Sequence, residues 1–259
     1  MITHGLFSRR SYVIGDRREN LLLENLKNIY SQVAQNPPTD GLPYQDSQQE
    51  SWDEVESRLL ACGFDRYESL PKDGFDWYDT NRQPTGQAQL EAQELKQQFV
   101  KWASGEGKEF LVVLGGTGLG KTELARSATW QLTPAWDNKH SYYITAYEFD
   151  KRVKTFRDSK DKGSIVVDPD VWVDNFAQAE NVVVDDIGAG YIDKGWTQSR
   201  FERLFDLRYK YKARTIIIAN LDRDGLHDEL GGRVYSRITD TRISNVLDLE
   251  HMVDLRTWS

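Results

Sequence analysis

The sequence predicts an α/β fold, in which helices flank a parallel sheet and a small helical region precedes it. Three observations support this prediction. A glycine-rich motif follows the apolar run at residues 110–114, apolar runs and helical patterns then alternate as far as residue 219, and two helical patterns lie before residue 63. Strands that alternate with helices form parallel sheets with both faces covered.

The N-terminal region, residues 1–80, is predicted to be a helical partner-docking region that ends in an aromatic linker. Apolar residues recur at helical spacing over residues 16–35 and 47–62, on either side of a proline-rich break. The second pattern is rich in acidic residues, which favours docking on another protein. The alternative is a helical extension that only packs on the main domain. An irregular aromatic segment, residues 64–78, leads onward.

The main domain is predicted to span residues 81–259. It opens with a polar helix over residues 85–102, whose inward residues we expect to be Leu90, Leu95, Phe99 and Val100. Strands are predicted at residues 110–114, 141–145, 181–185 and 214–219, and helices at residues 121–131, 146–158, 169–178 and 197–211.

Composition excludes several functional classes. The 259-residue chain has a net charge of −8, which argues against broad, non-specific binding to duplex nucleic acid. The single cysteine, Cys62, and four scattered histidines argue against a disulfide framework or a zinc site, and fit a cytoplasmic setting. No apolar run approaches 18 residues, so a membrane role is not expected.

The strongest motif is a P-loop between a predicted strand and a predicted helix. It consists of Gly115, Gly116, Thr117, Gly118, Leu119, Gly120, Lys121 and Thr122. Glycines let successive backbone N–H groups face a phosphate, the lysine neutralises the outer phosphates, and the threonine supplies an oxygen to Mg²⁺. The sequence therefore predicts a site for a nucleoside triphosphate.

Two later strands end in polar residues that suit this site. The strand of residues 181–184 is followed by Asp185, which we assign to the metal, and by Asp186, which we assign to the attacking water. A second buried strand ends at Asn220, which is placed to orient that water or to touch the γ-phosphate. Without the P-loop, these residues would be interpreted as solvent-facing acids and a turn former.

Arg233 and Arg237 lie four residues apart and share one face of a predicted helix. Arginines in this arrangement can reach the phosphates of a neighbouring subunit. An arginine supplied in this way stabilises the charge of phosphoryl transfer. The spacing alone favours a simpler interpretation, in which both arginines pair with carboxylates of the same chain.

Four segments in this order and spacing, GGTGLGKT, VVVDDIG, LFDLRYKYKARTIIIAN and LGGRVYSRI, resemble the AAA+ ATPases of the DnaC group. These are replicative-helicase loaders of bacteria and phages, and IstB and DnaA are relatives. The resemblance covers roughly residues 62–259 and implies an AAA+ fold with ATP and Mg²⁺ as cofactors. It implies that Asn220 is sensor 1, that Arg237 is the arginine finger, and that Arg233 is a supporting basic residue.

The resemblance also implies contacts with single-stranded DNA. In this group a helical element after the second core strand carries basic and aromatic residues, which correspond here to Lys151, Lys154, Phe156 and Arg157. A base can stack on the aromatic ring while the cations hold the backbone. The alternative is that Phe156 is a core residue of an amphipathic helix with solvated cations.

The resemblance favours a slow, assembly-stimulated ATPase that loads a replicative DNA helicase. The chain would form an ATP-dependent oligomer on single-stranded DNA and dock the helicase through its N-terminal region. The alternative is a transposition helper of the IstB type, which forms ATP-bound oligomers on duplex DNA and recruits a transposase. A small-molecule P-loop kinase is less favoured, because Asn220 and the two arginines would then have no role.

Overall fold

The computed structural model describes residues 71–132, 141–158, 168–188, 190, 192–193 and 195–257, and it describes the side chains of all of these except residues 156–158. The helices predicted at residues 16–35 and 47–62 lie outside these residues. So does the aromatic linker before residue 71. The proposed boundary between residues 80 and 81 therefore stays a prediction.

The described elements alternate as the sequence predicts. The helices are α1 (Gln87–Ala103), α2 (Lys121–Gln131), α3 (Ala146–Asp158), α4 (Pro169–Phe176), α5 (Trp196–Lys210), α6 (Arg223–Leu230) and α7 (Gly232–Ile238). The strands are β1 (Phe110–Gly115), β2 (Ser141–Thr145), β3 (Asn181–Ile187), β4 (Arg214–Ala219) and β5 (Ser244–Leu249). A short 3₁₀ turn, Thr80–Arg82, precedes α1.

The five strands form one parallel sheet in the order β2-β3-β4-β1-β5. The three central strands are buried along almost their whole length, because helices cover both faces of the sheet. The predicted fold class, a P-loop α/β sheet flanked by helices, is confirmed for the described residues. Among these residues, no helix is long and apolar enough to cross a membrane.

One prediction about α1 is wrong. Leu95 and Phe99 are fully buried as expected, but Leu90 is 58% exposed and Val100 is 38% exposed. The helix buries a stripe that repeats every three or four residues through Ala88, Ala92, Leu95, Phe99 and Trp102. Leu90 and Val100 lie beside that stripe, because consecutive residues are rotated by about 100° around a helix.

A buried arginine links α5 to the segment before β3 and to the first residues of β4. The Arg208 guanidinium donates to the carbonyls of Ala177 and Glu180 at 3.1 and 3.4 Å, and to those of Ala179 and Arg214. Its Nε also donates to Thr215 Oγ1 at 3.0 Å. Burial lowers the pKa of Arg208 to about 9.

Replacing Arg208 by methionine should lower the free energy of unfolding by about 3 kcal/mol, because buried carbonyls would lose their donors. Urea unfolding measures this loss. The matched control is Arg203→Met on the same helix, whose exposed pair with Asp174 should cost less than about 1 kcal/mol. Equal losses in the two variants would contradict this role for Arg208.

Candidate nucleotide site

The sheet order brings the predicted site residues together at one edge. Strands β3, β4 and β1 are neighbours, and parallel strands all end at the same side of a sheet. Lys121 follows the loop after β1, Asp185 and Asp186 lie near the end of β3, and Asn220 follows β4. The structure thus places these four residues in one hydrogen-bonded network.

Lys121 is at the centre of this network and is only 4% exposed. Its Nζ donates to the carbonyls of Gly115 and Gly116 at 2.8 and 2.5 Å, and to Asn220 Oδ1 at 3.0 Å. Burial lowers the pKa of Lys121 to about 8, although the charges of the two nearby acids act in the opposite direction. The ammonium group therefore occupies a partly desolvated position, where an anionic ligand would stabilise its charge.

Asp185 is a buried carboxylate with several donors around it. Tyr143 on the neighbouring strand β2 donates its hydroxyl to Asp185 Oδ2 at 2.6 Å, and the Asp186 N–H donates to Oδ1 at 2.6 Å. Thr122 also hydrogen-bonds to Asp185. Burial raises the pKa of Asp185, while these three hydrogen bonds oppose the rise.

The second acid depends on an irregularity in β3. Between Val184 and Ile187 the pairing with β4 shifts by one residue, and Asp186 adopts a φ of 60° in the left-handed region. In a regular strand, consecutive side chains point to opposite faces. The bulge lets Asp186 Oδ1 accept a 2.7 Å hydrogen bond from Asn220 Nδ2 at the end of the adjacent strand.

The donor set fits the predicted Mg²⁺ ion. Asp185 and Thr122 offer a carboxylate and a hydroxyl that already contact each other at the start of α2. Mg²⁺ prefers oxygen ligands and keeps several waters alongside one or two protein groups and substrate phosphates. These two residues would hold the ion.

Arg233 and Arg237 do not join this network. Both contact Asp206 on α5: Arg233 Nη2 lies 2.7 Å from Oδ2, and Arg237 Nη1 donates to the other oxygen. The Arg237 guanidinium also lies 5.9 Å from the centre of the Tyr209 ring. Asp206 could not be identified from the sequence, because the pairing requires α5 and α7 to pack together. The role of Arg237 in a neighbouring site stays a prediction.

The basic cluster predicted to contact DNA lies on α3. Lys151 is exposed, whereas Lys154 Nζ forms a 2.8 Å ion pair with Asp150 Oδ2 one turn earlier. The side chains of Phe156 and Arg157 lie outside the part that the structure describes. The choice between a stacking and a core role for Phe156 therefore stays open.

The fold and the site together define a class of protein. A parallel sheet in the order β2-β3-β4-β1-β5, a glycine-rich loop ending in Lys121, and acids at the end of β3 are features of P-loop ATPases. The family model of the bacterial DnaA ATPase domain matches residues 81–242, more than half of the chain. The chain belongs to this family and carries its nucleotide-binding AAA+ ATPase domain.

Two solved structures are similar to this chain. The DnaC helicase loader is 19% identical, with a TM-score of 0.52 over 68% of this chain and 95% of that one. DnaI is 17% identical, with a TM-score of 0.49 over 71% of this chain and 91% of that one. The likeness to the DnaC helicase loader supports the predicted resemblance to the DnaC group at the level of the fold. No curated protein matches the chain.

Proposed function

We propose that this protein is an ATP-dependent helicase loader for DNA replication, in which ATP hydrolysis switches between an assembled and a released state. One observation carries the proposal. The P-loop lysine, the two acids and Asn220 form one network, whereas Arg237 is held by Asp206 on α5. An arginine supplied by a neighbouring subunit would complete this site and make hydrolysis depend on assembly.

Nucleotide binding would rearrange the network around Lys121. The lysine now donates to Asn220 Oδ1, and Asn220 Nδ2 donates to Asp186 Oδ1. A γ-phosphate would compete for the ammonium group, because a charged acceptor forms stronger hydrogen bonds than the neutral oxygens that Lys121 Nζ now contacts. Asn220, released from Lys121, would turn its amide toward the γ-phosphate. Asp186 would then lose its amide partner and be available to a water molecule.

The water molecule beside Asp186 would then hydrolyse the γ-phosphate. Asp186 would accept a proton from the water as the water oxygen attacks the γ-phosphorus, and the bond from phosphorus to the bridging oxygen would break to release ADP. Mg²⁺, when bound, neutralises charge on the phosphates. Arg237 of an adjacent subunit would stabilise the remaining charge. The rate of ATP hydrolysis would therefore rise when subunits assemble.

Assembly would take place on single-stranded DNA. The exposed Lys151 and the neighbouring basic residues of α3 would hold the phosphate backbone, and the N-terminal region would dock the replicative helicase. The net charge of −8 is consistent with a local DNA contact shared between subunits.

Replacing Asp186 by asparagine should preserve ATP binding and slow hydrolysis by about 100-fold or more, because the amide cannot act as a base toward water. Phosphate release and binding of a fluorescent ATP analogue measure the two properties separately. The matched control is Asp224→Asn in α6, which should leave both unchanged. Hydrolysis at the parental rate in Asp186→Asn would mean that another group handles the water.

DNA preference tests the proposal against its main alternative. With ATP, we expect oligomers to form on single-stranded oligonucleotides and much less on duplexes of the same length. Analytical ultracentrifugation with labelled DNA measures oligomer formation on each kind of DNA. A preference for duplex DNA would contradict the loader and favour a transposition helper of the IstB type.

A further inference from the structure

Two carbonyls of the P-loop are held by segments outside the strand–loop–helix unit. The Leu255 N–H donates to the Gly118 carbonyl at 3.0 Å, and the Tyr78 hydroxyl donates to the Leu119 carbonyl at 2.9 Å. Leu255 belongs to residues 251–257, which follow β5 and which we call the β5 strap. Tyr78 precedes α1 and is 3% exposed.

These bonds fix the orientation of two peptide groups. In a trans peptide, the carbonyl of one residue and the N–H of the next point in opposite directions, and the described residues contain no cis peptide. Because the Gly118 carbonyl points to the β5 strap, the Leu119 N–H points away from it. Likewise, the Gly120 N–H points away from Tyr78. Successive N–H groups turned to one side form the cradle that binds a phosphate.

Both segments also pack tightly against the loop. A Cβ at Gly118, where φ is 76°, would lie 1.8 Å from Asp254 Oδ1 of the strap. A Cβ at Gly120, where φ is 85°, would lie 2.6 Å from the Tyr78 ring. Gly120 is therefore required by its contact with the Tyr78 ring as well as by its left-handed backbone, whereas at Gly118 the left-handed backbone itself requires glycine.

The β5 strap is itself anchored. Gln83 exchanges two 2.8 Å hydrogen bonds with the backbone of Val253, and Arg82 donates to the Leu255 carbonyl at 2.8 Å. His251 N donates to the Glu91 carboxylate on α1 at 3.0 Å. The strap and the segment around Tyr78 are thus joined to each other and both contact the P-loop.

We propose that Tyr78 and the β5 strap are positioning elements of the phosphate site, which hold the Leu119 and Gly120 N–H groups toward the β-phosphate of a bound nucleotide before it arrives. Such preorganisation contributes to binding, because the loop loses less freedom when the phosphate binds. Burial raises the pKa of the Tyr78 hydroxyl, which keeps it a donor. The proposal concerns nucleotide affinity, so it holds whether or not the protein loads a helicase.

The Tyr78→Phe variant removes the hydroxyl and keeps the ring. We expect ADP affinity to fall about fivefold, because one positioning hydrogen bond is lost, with the turnover number at saturating ATP unchanged. Titration calorimetry with ADP and steady-state kinetics measure the two quantities. The control is Trp77→Phe, whose indole donates to the Gly74 carbonyl and not to the P-loop.

The strap is tested by two substitutions at one position. Leu255→Pro removes the N–H that bonds Gly118, and Leu255→Ala keeps it. We expect only the proline variant to lose ADP affinity, again about fivefold, with the melting temperature of the free protein like that of the alanine variant. Unchanged ADP affinity in both Tyr78→Phe and Leu255→Pro would overturn the proposal. So would a fall in turnover number at unchanged affinity.

Discussion

Replacing Lys121 by alanine should abolish nucleotide binding within the measurable range, which corresponds to a loss of affinity of at least about 100-fold. The lysine places a buried ammonium group beside the Gly115 and Gly116 carbonyls and Asn220 Oδ1, where a triphosphate would be a strong anionic partner. Titration with a fluorescent ATP analogue measures the affinity.

The substitution should not unfold the protein. Removing the buried ammonium group also removes its desolvation cost, and Asp185 keeps its hydrogen bonds from Tyr143, Thr122 and the Asp186 N–H. Circular dichroism and the melting temperature check this point, and Lys210→Ala, an exposed lysine on α5, is the matched control. Binding of ATP by a folded Lys121→Ala variant with parental affinity would refute the assigned site.

Replacing Arg237 by alanine should spare ATP binding and remove the hydrolysis that assembly stimulates, a fall of about 1,000-fold in the stimulated rate. Arg237 bonds Asp206 within its own chain and makes no described contact with the P-loop, so binding by one subunit does not require it. The measurement compares phosphate release with and without single-stranded DNA. Arg242→Ala, an exposed arginine paired with Asp240, is the control.

Mixing two inactive variants tests whether Arg237 acts on a neighbour. Lys121→Ala subunits keep Arg237, and Arg237→Ala subunits keep an intact P-loop. In mixed oligomers the first should supply the arginine to the second, so DNA-stimulated hydrolysis should partly return. An Arg237→Ala protein that hydrolyses ATP like the parent in the presence of single-stranded DNA would show that the finger is assigned wrongly.

The sequence predicts the fold well, and it predicts which residues meet at one edge of the sheet, because each signal is local. The bounds of α2, β2, α3 and β4 match the predicted ones, since an apolar run or a helical stripe is visible within each segment. The P-loop, Asp185, Asp186 and Asn220 follow from strand ends that a parallel sheet brings to one edge. Leu90 and Val100 were placed wrongly because apolar character alone does not identify the buried stripe.

The residues that sequence reasoning missed act through long-range contacts. Tyr143 on β2 donates to Asp185 on the neighbouring strand β3, and Arg237 on α7 donates to Asp206 on α5. Tyr78 donates to a P-loop carbonyl 41 residues away in the sequence. The left-handed conformation of Asp186 arises from a register shift with β4. None of these contacts leaves a periodic signal, because each depends on which elements become neighbours in the folded chain.

The central claim, that ATP governs a complex with a replicative helicase, is tested most directly by a pull-down with purified helicase. The parent protein should retain a replicative helicase, ATP should change the stability of that complex, and Lys121→Ala should make it insensitive to ATP. Failure to bind any replicative helicase, together with ATP-dependent binding of a transposase on duplex DNA, would contradict the account.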